Sequence, residues 1–127
     1  MHKAISIFIL FFLNTIISEE MIIGSEVVDP GIKFVFEAAP KDTIYPKELH
    51  LPETETDLHI EMLANWTDTN FVQAPVGGFV AYLNVKLKMV NDNGQTLEVL
   101  LSPHLNLIDN LHYAKNIKLP GTIDDSY

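Results

Sequence analysis

Residues 79–101 read FVAYLNVKLKMVNDNGQTLEVLL, and their alternation decides the fold. Successive side chains of an extended chain point to opposite faces. From Phe79 to Val90 one face then carries Val80, Tyr82, Asn84, Lys86 and Lys88, and the other carries Ala81, Leu83, Val85, Leu87 and Met89. Asn91-Asp92-Asn93-Gly94 follows, a hairpin turn made of residues that tolerate the positive φ of tight turns. The chain returns through QTLEVLL, where Leu97, Val99 and Leu101 alternate with Thr96 and Glu98. Two strands joined in this way expose an apolar face that another layer has to cover.

The flanking sequence supplies that layer. IKFVFEA (Ile32 to Ala38) is rich in β-branched and aromatic residues and follows the turn signal Pro30-Gly31. DLHIEMLAN (Asp57 to Asn65) alternates strictly, with Leu58, Ile60 and Met62 on one side and Asp57, His59 and Glu61 on the other. Between these two runs Pro40, Pro46 and Pro52 stand six residues apart, a spacing that excludes a long helix and favours looping chain. No segment after the N-terminal run has a 3.6-residue apolar period. Short strands with tight turns predict an all-β chain, and a sandwich is the arrangement that buries their apolar faces.

The N-terminus has its own pattern. Lys3 precedes an almost wholly apolar run, Ala4 to Ile17, and Ser18-Glu19-Glu20 ends it. A charged head, a short apolar middle and a polar exit are the layout of a secretory signal, assigned to residues 1–18. The run is shorter than the ~20 residues a membrane-spanning helix needs; an uncleaved anchor is the alternative. Residues 19–127 then form a single domain. There is no cysteine, so disulfides, thiol catalysis and zinc–thiolate sites are excluded, and an exported chain of this kind fits a bacterial periplasm. Asp and Glu number 17 against 8 Lys and Arg, a formal net charge of −9. Such acidity argues against nucleic acid as a partner and concentrates cations near the surface. With no nucleotide-binding glycine loop, no GxSxG elbow and no nucleophile–base pairing, no enzymatic chemistry is expected.

The histidines remain. His59 and Glu61 share one strand face, and imidazole nitrogen with carboxylate oxygen suits a borderline divalent ion. Taken alone, the same pair is read first as the polar skin of a half-solvated strand. His104 and His112 stand eight residues apart at the two ends of a loop containing Asp109-Asn110, and they converge if that loop folds back. His50 lies in the proline-punctuated stretch and is read as an incidental loop residue.

The order DLHIE, GGFVAYLNV, NDNGQ and SPHLNLIDNLHYAKNI resembles the periplasmic iron-transport-associated metal-binding proteins of the FetP and Tpd type, over Phe34 to Gly121. The resemblance implies an immunoglobulin-like or cupredoxin-like antiparallel β-sandwich, a homodimer, and work beside an inner-membrane iron permease in high-affinity iron uptake. It carries metal ligation onto His59 and Glu61, which match the family's His-x-Glu, and onto His112, which matches its His-Tyr loop. His104 falls near a position where the family has methionine, so imidazole there would favour Cu(II), Zn(II) or Fe(II) over Cu(I). Copper is the metal first expected, with iron or zinc next. Asn65 replaces a second family histidine, and the family's chain continues through closing strands beyond the point matching Tyr127. The sandwich is therefore expected to lack the last strands and to be less stable than longer relatives. Two other readings follow: an exported immunoglobulin-like surface antigen or interaction module, with an exposed patch around Trp66 and Phe71, or a non-functional shortened remnant of the family.

Overall fold

The computed structural model describes residues 20–40, 43–104 and 111–127. The leader assigned to residues 1–18, and the Asp109-Asn110 loop, lie outside the described residues. Among the described residues no helix is long and apolar enough to cross a membrane.

Six antiparallel strands carry the fold: β1 (Met21–Val28), β2 (Ile32–Ala39), β3 (Leu58–Trp66), β4 (Val85–Val90), β5 (Thr96–His104) and β6 (His112–Ile117). Their order across the sheet is β1-β2-β3-β6-β5-β4. β5 serves both ends of a curled sheet. Thr96 to Leu101 pair with β4, and Ser102 to His104 pair with β6. The curl brings Val85, Leu87, Met89, Leu97 and Val99 against the buried side chains of Ile32, Ile60, Ala64, Tyr113 and Ile117. This is the β-sandwich, and it closes on the apolar stripes that the alternation of β3, β4 and β5 defines. Helical structure among the described residues is limited to two three-residue 3₁₀ turns, Lys47–Leu49 and Glu53–Glu55, both in the proline-punctuated stretch.

The turns follow from their residues. Gly31 closes the β1–β2 connection at φ 106°, with its amide donating to the Val28 carbonyl at 2.9 Å. A side chain there would collide with the Asn70 backbone, so only glycine fits. Gly94 takes φ 77° in the β4–β5 turn, and Val90 pairs with Thr96 across it.

Two expectations need correction. The run FVAYLNVKLKMV is not one strand from Phe79: Phe79 makes an isolated bridge to Asn65, and β4 begins only at Val85. Tyr82 takes φ 63° and is fully exposed, which shifts the alternation by one residue, so Val80 is buried and Ala81 exposed. The buried phenol of Tyr113 explains the break. Its hydroxyl donates to the Val80 carbonyl at 2.9 Å and accepts from the Leu83 amide at 2.9 Å, taking the place of a neighbouring strand. From Leu83 onward the apolar face is as the sequence predicts. The second correction is an addition. β1 escaped the sequence reading altogether, because MIIGSEVV has no clean alternation and every residue of it is exposed.

Candidate metal centre

The site lies on the face of the sheet opposite the core, at its middle. β3 and β6 pair with His59 opposite Asn116 and Glu61 opposite Ala114. β5 and β6 pair with His104 directly opposite His112. Residues directly opposite in an antiparallel pair point to the same side, with Cβ atoms ~4.5–5.5 Å apart. The two histidines that flank residues 105–110 are thus brought together by strand register, and β3, the next strand over, adds His59 and Glu61.

These side chains are not a solvated skin. His59 is 1% exposed, His112 2%, Glu61 7% and His104 8%. The proline-punctuated stretch is tied to β6 by hydrogen bonds. Lys115 Nζ donates to the Leu49 carbonyl at 2.8 Å, and Asn116 Nδ2 donates to the Leu51 carbonyl at 3.2 Å.

The donor atoms converge. His59 Nε2 lies 3.0 Å from Glu61 Oε1, and His112 Nε2 lies 3.6 Å from the same oxygen. His104 Nδ1 lies 3.2 Å from His112 Nε2. One ligand atom from each of His59, His104 and His112 falls within 4.8 Å of the others. Donors held ~2.0–2.1 Å from one ion at tetrahedral angles stand roughly 3.3 Å apart, so the spacing suits a first-row divalent ion. The rings meet edge to face, with centroids 5.6 Å apart for His59–His104 and 5.0 Å for His104–His112. Three imidazoles and a carboxylate are the donor set of zinc, copper or ferrous iron rather than of calcium or magnesium. The His59 Nε2–Glu61 contact is short enough for an ion pair.

The electrostatics hold Glu61 ionised. Burial works to raise its pKa, but the contact with His59 and the charges of His112, His59 and His104 together outweigh that, and its carboxyl sits below the usual value. His50 stands apart from the converging donors. Burial, then Lys115, then His59 push its pKa down, and its buried Nδ1 makes no hydrogen bond among the described residues.

Two residues of this face were missed in the sequence. Glu37 of β2 lies directly opposite Glu61 and is 8% exposed, so a second buried carboxylate stands beside Glu61. Asn116 accepts from His59 Nδ1 at 2.8 Å. Strand parity carried a signal for both: Glu37 alternates against Phe34 and Phe36, and Asn116 falls two and four residues from Ala114 and His112. Asn65 donates to the Gly77 carbonyl at 3.0 Å. Trp66 packs against the core, while Phe71 is exposed, so the two do not form one exposed patch.

A family model described as Fe2+ transport protein matches residues 17–127. Among solved structures, a copper-bound glutamate-to-glutamine variant of FetP from uropathogenic Escherichia coli strain F11 superposes with a TM-score of 0.73 at 21% identity, covering 81% of this chain and 69% of that one. The copper-reconstituted P19 protein of Campylobacter jejuni gives 0.71 at 22% identity, covering 78% of this chain and 62% of that one. The chain thus spans 62% to 69% of the length of these neighbours. At this identity they establish the shared sandwich. No curated protein matches the sequence.

Proposed function

The chain belongs to the Fe2+ transport protein family, and from that premise we propose that it binds a divalent metal ion, copper first, at His59, Glu61, His104 and His112. The observation that carries the reading is the convergence of three buried histidine donors from β3, β5 and β6 within 4.8 Å. Their imidazoles supply the nitrogens, and Glu61 offsets the charge of the ion. Glu61 is ionised at neutral pH, so no proton has to leave it when the metal arrives. The copper-bound neighbours favour copper, and the acidic surface favours cation capture. The chain acts in the periplasm after loss of residues 1–18, as a homodimer, and supports high-affinity iron uptake beside an inner-membrane iron permease.

Isothermal titration of the purified protein with Cu²⁺, Zn²⁺ and Fe²⁺ tests the reading. Saturable binding of one ion per chain is expected. His59→Ala should weaken it by more than the roughly 10–100-fold that follows loss of an outer partner of a ligand. Binding unchanged by His59→Ala, or no saturable binding, refutes the assignment.

A further inference from the structure

We propose that His50 and Glu53 form an entry site for the metal: the cavity they line takes a divalent cation from solvent, and His50 passes it inward to His59. The proposal rests on the metal-binding reading and goes beyond it, because it concerns how the ion reaches the buried donors and not which residues finally hold it.

The donors need such a route. His59, His104, His112 and Glu61 are all buried, so an ion in solvent does not meet them directly. A cavity of about 210 Å³ lies in the proline-punctuated stretch, walled by Ile44, Leu51 and Pro52 and carrying Lys47, His50 and Glu53. A water fills ~30 Å³ in the liquid, so the space admits an ion with part of its hydration shell. The cavity wall is two hydrogen bonds from the metal centre. The Leu51 carbonyl accepts from Asn116 Nδ2 at 3.2 Å, and the Asn116 side-chain oxygen lies 2.8 Å from His59 Nδ1. The charges of Lys115 and His59 also reach His50. Two other cavities share Phe36 and Met62, which pack toward the core, the face to which neither His59 nor Glu61 points.

The cavity has the chemistry of a transfer site. Imidazole suits first-row divalent ions, and Glu53 adds a carboxylate three residues on. The ring of His50 lines the cavity, while its Nδ1 is covered from solvent and makes no hydrogen bond among the described residues. Leaving such a nitrogen unpaired costs free energy, which ligation would remove. The nearby lysines do not oppose a cation with free ammonium groups. Lys47 Nζ stands 5.3 Å from the centroid of the Tyr45 ring, and Lys115 Nζ donates to the Leu49 carbonyl at 2.8 Å. Two protein donors hold an ion weakly, and passage requires a site favourable enough to enter and weak enough to leave. Three histidines and Glu61 then retain the ion.

The test is stopped-flow mixing of the chelator-treated full chain with Cu²⁺, followed by absorbance of the bound copper, and release of that copper to a competing chelator. An entry residue speeds arrival and departure alike, so its loss leaves the equilibrium affinity in place. His50→Gln should slow loading and release together by about tenfold, with the dissociation constant unchanged. Glu53→Gln, at an exposed position, should slow loading at low salt by about tenfold, the lower end of what charge in a cleft adds to an association rate. That second effect should vanish near 1 M salt, where the Debye length is ~3 Å, while the His50→Gln effect persists. Loading of His50→Gln at the wild-type rate overturns the proposal, and so does faster release with weakened affinity, which would make His50 a support of the final site. Should His50→Gln misfold, wild-type loading by Glu53→Gln at low salt overturns it as well. Wild-type protein that takes up no copper refutes the metal-binding reading itself, whereas tight binding at rates indifferent to both substitutions refutes the entry site alone.

Discussion

β1 and β3 invert the usual relation between composition and burial. β1 is MIIGSEVV, mostly apolar, and all of its residues are exposed. β3 carries a histidine, a glutamate and an asparagine in nine residues, yet His59, Ile60 and Glu61 are all buried in succession. Position in the sheet explains the difference. β1 is an edge strand with one neighbour, whereas β3 sits between β2 and β6, with the core on one face. Burying polar side chains costs free energy unless they find partners. In β3 they do: Asn116 for His59, and the imidazoles for Glu61.

The sharpest way to break the comparison is to make the same truncation in both strands. Ile60 has no exposed surface and packs in the core on the face opposite the site. Ile60→Ala should destabilise the protein by about 3 kcal/mol, the middle of the range for buried aliphatic truncations. Urea denaturation in the presence of a chelator measures it. A loss under about 1 kcal/mol would mean that the curled sheet is not closed on β3 as described.

The polar face of β3 gives a smaller, pH-dependent effect. The Glu61 carboxyl has a pKa below its ordinary value in the folded chain, with burial opposed and outweighed by the histidine contacts. A depressed carboxyl contributes stability that is fully present above its unfolded pKa, ~4.3, and is lost as pH falls through the lower folded value. Metal-free Glu61→Gln should therefore be less stable than wild type at pH 6–7, and the gap should narrow progressively below pH 4. A gap that widens on acidification would mean that Glu61 is held protonated by burial. In the same variant, copper binding at neutral pH should weaken, since the histidines lose the negative charge beside them.

The contrast between the strands also shows what a sequence can disclose. The apolar stripes of β3, β4 and β5 are legible because alternation is a local property, and the Asn91–Gly94 turn is legible because Gly94 needs positive φ. His59 and Glu61 are legible as a pair for the same local reason. What brings them to His104 and His112 is the neighbourhood of β3, β6 and β5, set by pairing between residues far apart in the chain, which the histidine spacing allowed and the resemblance pointed to. Parity alone places Asn116 and Glu37 on the polar face, but their importance lies in what stands across the ladder from them, which parity does not show. The break at Tyr82 was invisible because its cause is the hydroxyl of Tyr113, thirty residues away. β1 was missed because an edge strand exposed on both faces needs no alternation to form.

That last point gives the smallest expected effect and the matched half of the first. Ile22 is 66% exposed and Val27 57%, so truncating either removes little area that folding took from water. Ile22→Ala and Val27→Ala should each change stability by no more than about 0.5 kcal/mol, as surface substitutions generally do. The backbone of β1 is what the fold uses, through its register with β2 from Met21–Ala38 to Val28–Ile32. Replacing Ser25 by proline, which removes an amide at a position paired with Val35, should cost more than either truncation although it deletes no buried apolar group. Measuring the two truncations at several protein concentrations sharpens the comparison further. A loss well above 0.5 kcal/mol that grows with concentration would show that assembly covers β1. A loss of that size independent of concentration would show that β1 is buried within the chain itself, and the inversion between the two strands would then disappear.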